Sequence, residues 1–145
     1  MIGMAVIYGI FIVFSLGIAV QDYRTGVLSR SFLWCAGFFF LGIRLFADKN
    51  SILSPLCGGL LGLGIFLLAF FVSGRKLGLA DVWYAGIIGI VTGPLWWYPV
   101  IGISCTAAVF YGIHTKKRRF PFIPFMAAGV LLVLPVRFWV LYRGT

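Results

Sequence analysis

Predominantly apolar residues fill six runs of the chain, at 2–21, 31–47, 52–72, 82–93, 95–113 and 121–142, and most charged residues lie in the gaps between them. A helix needs about 20 apolar residues to cross a hydrocarbon core about 30 Å thick, and most of these runs have that length. The fourth run is short. Gly93-Pro94 follows it, and proline cannot continue a helix without losing a backbone bond. The pattern therefore predicts a tight turn there, with residues 82–113 holding two abbreviated spans; a five-span bundle is the alternative. The first run lacks a basic lead-in and passes directly into "QDYR", which fits an uncleaved span better than a removed signal peptide. The expected fold is an all-α, polytopic membrane helix bundle of about six transmembrane helices. No long linker or repeat divides it, so residues 1–145 form a single domain.

Composition agrees. Hydrophobic residues make up 62% of the chain and the mean hydropathy is +1.09, whereas a soluble domain is about 45–50% apolar. A soluble fold of this length could not cover so much apolar surface. The formal net charge is +9. In a soluble protein this would suggest nucleic acid, but here the bases lie in short clusters between spans and leave no aromatic-interleaved basic surface. They read instead as topology signals and as contacts with anionic lipid headgroups. Arg24 and Arg30, then Arg75 and Lys76, then Lys116, Lys117, Arg118 and Arg119 occupy alternate loops. Those loops are expected on the cytoplasmic side, with both termini extracytoplasmic, in the inner (cytoplasmic) membrane. Two aromatic belts are expected: Trp34, Trp83 and Tyr84 inside, and Trp96, Trp97, Tyr98, Trp139 and Tyr142 outside. Arg44, near a span end, is expected to snorkel.

Several chemistries are excluded. Cys35, Cys57 and Cys105 form no CxxC and there is one histidine, His114, so no metal site and no Ser/His/Asp set can be assembled. "SGRKLGLAD" lacks the phosphate-loop pattern. Gly58 and Gly62, and Gly89 and Gly93, are two GxxxG pairs that suit close helix approach in lipid.

The informative residues are the acids. The chain has three, Asp22, Asp48 and Asp81, and no glutamate. In the expected topology Asp22 and Asp81 share the inner face and Asp48 lies at the outer end. An ionised acid in a membrane segment costs about 2.5–3.5 kcal/mol on insertion scales, and such groups usually face the protein interior. Two carboxylates held close titrate as a pair in which one keeps a proton. That provides a base to activate water and an acid to protonate a leaving nitrogen. Plainer roles stand beside this one: Asp81 as a helix cap, and Asp22 as an ion-pair partner of Arg24.

"QDYRTGVLSRSF" and "GLADVWYAGIIGIVTG", followed by "FPFIPFMAAG", together resemble the type IV prepilin peptidase family, integral membrane aspartic peptidases related to archaeal preflagellin peptidases. The resemblance implies catalytic roles for Asp22 and Asp81, with Arg24, Gly78 and Ala80 in the supporting motifs. Ala80 stands where the family has a second glycine, Leu28-Ser29-Arg30 replaces an Ile-Pro-Asn-like segment, and Trp83 replaces a frequent lysine. The segment with a cysteine tetrad found in larger members is not in this chain, so the likeness is to the compact, peptidase-only form, with no cofactor and no S-adenosylmethionine dependence expected. The implied activity is removal of a short basic leader from prepilin or pseudopilin precursors, whose apolar helices would be the partners, at the cytoplasmic membrane face. A catalytically degenerate scaffold and a small proton or cation transporter are the alternatives. Presenilin-like proteases also pair membrane aspartates, but their Pro-Ala-Leu segment is missing here.

Overall fold

The structure, a computed structural model, describes residues 2–48, 51–115 and 121–144. The run Lys116 to Arg119, used above as a topology signal, lies outside the described residues, as do Lys49, Asn50 and Phe120. Every element among the described residues is helical: α1 (Ile2–Thr25), α2 (Arg30–Ala47), α3 (Leu53–Val72), α4 (Leu79–Thr115) and α5 (Ile123–Arg143). All five are long and apolar enough to cross a membrane. The all-α membrane bundle is therefore as expected, but its count is five helices rather than about six.

The difference lies in α4. At 37 residues it would be about 55 Å long if straight, far more than a bilayer core requires. It is not straight. Gly93 has φ 74° and ψ 169°, a region open essentially only to glycine. Pro94 then begins a second segment, at a position where its missing N–H costs nothing. The indole Nε1 of Trp97 donates to the carbonyl of Ala85, 3.1 Å away and twelve residues back. In a straight helix those residues would stand about 18 Å apart, so the chain folds back at Gly93. The expected turn is present, and α4 comprises two segments, 79–92 and 94–115.

The first segment of α4 is the centre of the molecule. Nearly all its residues are buried, and α4 packs on each of the other four helices. Its closest neighbour is α3, and the two predicted glycine pairs explain why. A Cβ on Gly58 would meet the backbone of Gly89 and Gly93, one on Gly89 would meet the carbonyl of Gly58, and one on Gly62 would meet the carbonyl of Ala85. The two backbones are in direct contact, which any side chain would prevent.

α1 docks by one stripe. Ile7, Tyr8, Phe11, Ser15, Ile18 and Asp22 are buried, at the three- and four-residue steps of a single helix face. Phe11 lies 6.4 Å from the Tyr84 ring and 5.1 Å from Phe40, centroid to centroid. α5 completes the bundle against the second segment of α4, where a Cβ on Gly129 would strike Ser104 and the Val100 carbonyl.

Three assignments made from the sequence are corrected. Tyr84 and Trp97 are fully buried rather than in the interfacial belts: one packs under α1, the other holds the fold-back of α4. Arg44 is also buried instead of snorkelling, because its side chain turns inward to the thioether of Met4 on α1. Of the other residues assigned to the belts, Trp83 and Trp96 are half-buried against the core. Trp34 and Trp83 pair at 4.3 Å between centroids, and Tyr98, Trp139 and Tyr142 are exposed.

Candidate active site

α1 ends one turn beyond Asp22. Gly26 takes a left-handed conformation, φ 61°, and its N–H donates to the Asp22 carbonyl at 2.8 Å, the single-bond glycine cap that closes many helices. The Thr25 hydroxyl donates to the Gln21 carbonyl at 2.8 Å. Asp22 is thus held on regular helix, at the foot of the stripe that α1 presents to the core, with 9% of its surface exposed.

Asp81 comes from the opposite direction, in the first turn of α4. Helix N-termini leave N–H groups without partners, and Asp81 satisfies one of them. The Gly78 N–H donates to Asp81 Oδ2 at 3.1 Å, while the Asp81 N–H donates to the Gly78 carbonyl at 3.1 Å. This is the carboxylate half of a capping box. Gly78 has no side chain to return the second bond, and its lack of a Cβ matters: one placed there would lie 3.0 Å from Asp81 Oδ2. The capping role anticipated for Asp81 is therefore real. It engages one oxygen and leaves Oδ1 without a hydrogen bond from any described residue. Asp81 is 8% exposed.

The two carboxyl groups are brought to the same end of the bundle. α1 and the first segment of α4 lie against each other through Phe11 and Tyr84, and Ser15 stands beside the Tyr84 hydroxyl. Seven residues beyond Ser15 is Asp22; three residues before Tyr84 is Asp81. Asp22 and Asp81 fall within electrostatic range of each other. Asp48, at the C-terminal end of α2, is at the other end of the molecule.

The other residues named from the sequence are placed as follows. Ala80 is in the first turn of α4, helical and half-buried against the core, where an alanine backbone is unstrained. Arg24 is exposed in the last turn of α1, where its charge suits the helix C-terminus. Among the described residues it forms no ion pair with Asp22 or Asp81, so the Asp22–Arg24 pairing is not made. Gly78 is the contact that sets the Asp81 carboxyl.

Ser15 and the interior position of Tyr84, the polar pair between α1 and α4, were not anticipated from the sequence. A signal for α1 was available: Tyr8, Ser15 and Asp22 recur at seven-residue steps, two helical turns apart.

The chain matches one protein-family model, described as the type IV leader peptidase family, over residues 9–113. That range takes in both aspartates, their supporting turns and the fold-back of α4. No curated protein and no solved structure matches the chain. With the match spanning well over half its length, this multi-pass, all-helical protein belongs to the type IV leader peptidase family.

Proposed function

We propose that this protein is an aspartic endopeptidase that removes the short basic leader from type IV prepilin-like or pseudopilin precursors. Family membership carries a leader-peptidase-type function in general; the aspartic mechanism rests on one observation. Two of the three acids in the chain, on helices far apart in sequence, lie at one end of the bundle within electrostatic range of each other, and both are nearly buried. Acids in such positions are rare without a chemical task.

In this mechanism a water molecule lies between the two carboxyl groups. One carboxylate removes a proton from the water as its oxygen adds to the scissile carbonyl carbon. The other, in its protonated form, hydrogen-bonds the carbonyl oxygen. The tetrahedral intermediate then collapses, the carbon–nitrogen bond breaks, and the nitrogen leaves with a proton from the acid. The Gly78 cap holds Asp81 by Oδ2 and leaves its second oxygen for this exchange. The exposed bases Arg24, Arg30 and Arg75 lie in or beside the connections at the same end as Asp22 and Asp81. By the positive-inside rule that end is cytoplasmic in an inner membrane, beside anionic headgroups.

A cleavage assay in detergent with a prepilin-like substrate tests the proposal, with product mass as the readout. Wild type and Asp48→Asn should release the leader. Asp22→Asn and Asp81→Asn should lose activity by a factor of about 10³ or more while remaining folded. Cleavage that survives in either of the latter two refutes the aspartic mechanism.

A further inference from the structure

The half of the bundle away from Asp22 and Asp81 contains a second polar cluster that the peptidase mechanism does not use. Arg44, in the last turn of α2, is 3% exposed, and Arg137, in the second half of α5, is 7% exposed. A guanidinium has five N–H donors and no acceptor, and a buried cation without good partners is costly. The partners here are poor or partial. Arg44 donates to the thioether sulfur of Met4, a weak acceptor. Arg137 donates to the Thr92 carbonyl, at the fold-back of α4, and its guanidinium carbon lies 5.3 Å from the centre of the Tyr8 ring and 5.9 Å from Trp96.

Three buried polar atoms in this cluster have no hydrogen-bond partner among the described residues: Arg44 Nε, Arg137 Nε and the Tyr8 hydroxyl. They belong together, because Tyr8 is within electrostatic range of both arginines and the arginines of each other. The acid nearby is Asp48, which forms no ion pair with Arg44. Two cations therefore face one carboxylate, and the unmet groups are N–H and O–H donors. Guanidinium forks match the oxygens of carboxylate and phosphate groups bidentately, and a phosphate has acceptor oxygens enough for two forks and a hydroxyl.

We propose that Arg44, Arg137 and Tyr8 form a binding site for a phosphate-type oxyanion, supplied by a lipid headgroup or by free phosphate, between α1, α2 and α5. Depth favours such a ligand. Arg44 is about 5 Å from the end of its helix, and Tyr8 and Arg137 are each about 9 Å from theirs. A headgroup phosphate drawn slightly inward reaches that level, and basic pockets between spans bind such groups. The site does not depend on the peptidase reading and is tested by binding alone.

The test uses the delipidated full chain in a neutral detergent. Thermal unfolding is followed while phosphatidylglycerol, phosphatidylcholine or inorganic phosphate is added, and bound lipid is read by native mass spectrometry. Phosphatidylglycerol should raise Tm by several degrees and be retained, and phosphatidylcholine, whose phosphodiester is accompanied by a choline cation that the two arginines repel, should act more weakly; an equal or stronger response to phosphatidylcholine counts against the site. A comparable rise with inorganic phosphate identifies a free anion as the ligand. Half-saturation should move about tenfold higher in Arg44→Gln and less in Tyr8→Phe. Asp48→Asn should tighten binding by removing the competing acid. Lys76→Gln, at the opposite end, should bind like wild type. If Arg137→Gln does not fold, Arg44→Gln and Tyr8→Phe decide the matter. No response to either anion, or a response unchanged in Arg44→Gln and Tyr8→Phe, overturns the proposal.

Discussion

In the proposed mechanism the Asp81 carboxylate has two tasks at once, and Gly78 determines how well they coexist. Its Oδ2 caps α4 through the Gly78 N–H, and a Cβ at Gly78 would sit 3.0 Å from that oxygen. Gly78→Ala forces the carboxyl to give by a few tenths of an ångström. Reacting groups tolerate little misplacement, so kcat for leader cleavage should fall about tenfold with KM and Tm nearly unchanged; steady-state kinetics beside a thermal scan checks this. The neighbouring position behaves differently. Ala80 is helical and packs on the core, so restoring the family glycine with Ala80→Gly should cost up to about 1 kcal/mol of stability and should not raise the cleavage rate. In sequence, Ala80 is a departure from the family motif, and a glycine at such a position can signal a positive φ. The structure places it inside the first turn, where no such φ is needed. Both aspartates were legible as residues, because acids are scarce in this chain. The capping bond was only one of several roles open to Asp81, since its partner is a backbone group that sequence does not mark.

The helices show why hydrophobic pattern alone was a partial guide. In lipid, outward-facing residues are as apolar as inward-facing ones, so periodicity does not separate the two faces of α1; the polar steps at Tyr8, Ser15 and Asp22 do. The break in α4 was legible because Gly-Pro is a strong stop. Its consequence was not. The first segment has 14 residues, 79–92, and measures about 21 Å, so it ends inside the bundle, where its last carbonyls need donors. The Arg137 guanidinium reaches the Thr92 carbonyl and supplies one such donor. Gly93 makes the break possible, and any other residue there would be strained. Gly93→Ala should cost about 1–3 kcal/mol and lower the thermal midpoint in detergent. Gly89→Val should be at least as damaging, since its side chain would enter the backbone of α3 at Gly58 and force α3 and α4 apart. Gly64→Ala is the control. Its Cβ would meet nothing within 4 Å, so stability should be unchanged or slightly raised. If all three variants melt together, the glycine contacts are not what holds α3 to α4.

At the scale of the whole molecule, charge and chemistry share an axis. The end with Asp22 and Asp81 also has the exposed bases Arg24, Arg30 and Arg75, while the other end buries Arg44 and Arg137 beside Asp48. Exposed bases interact with headgroups and set orientation; buried ones do not compete for that role. Counting Arg44 and Arg137 as topology signals would dilute the bias, whereas treating them as interior groups strengthens it, which is a gain that only the structure provides. The orientation this implies is testable with cysteines. Cys35, Cys57 and Cys105 are exposed and would be replaced by alanine first. Arg75→Cys should then react with a membrane-impermeant maleimide only when the cytoplasmic side is open to the reagent, and Ser51→Cys only from the opposite side. The reverse pattern would put the aspartates on the far side of the membrane, where a leader held in the cytoplasm could not reach them. The peptidase mechanism would then require precursors already carried across, so this labelling decides which pool of substrate the enzyme meets.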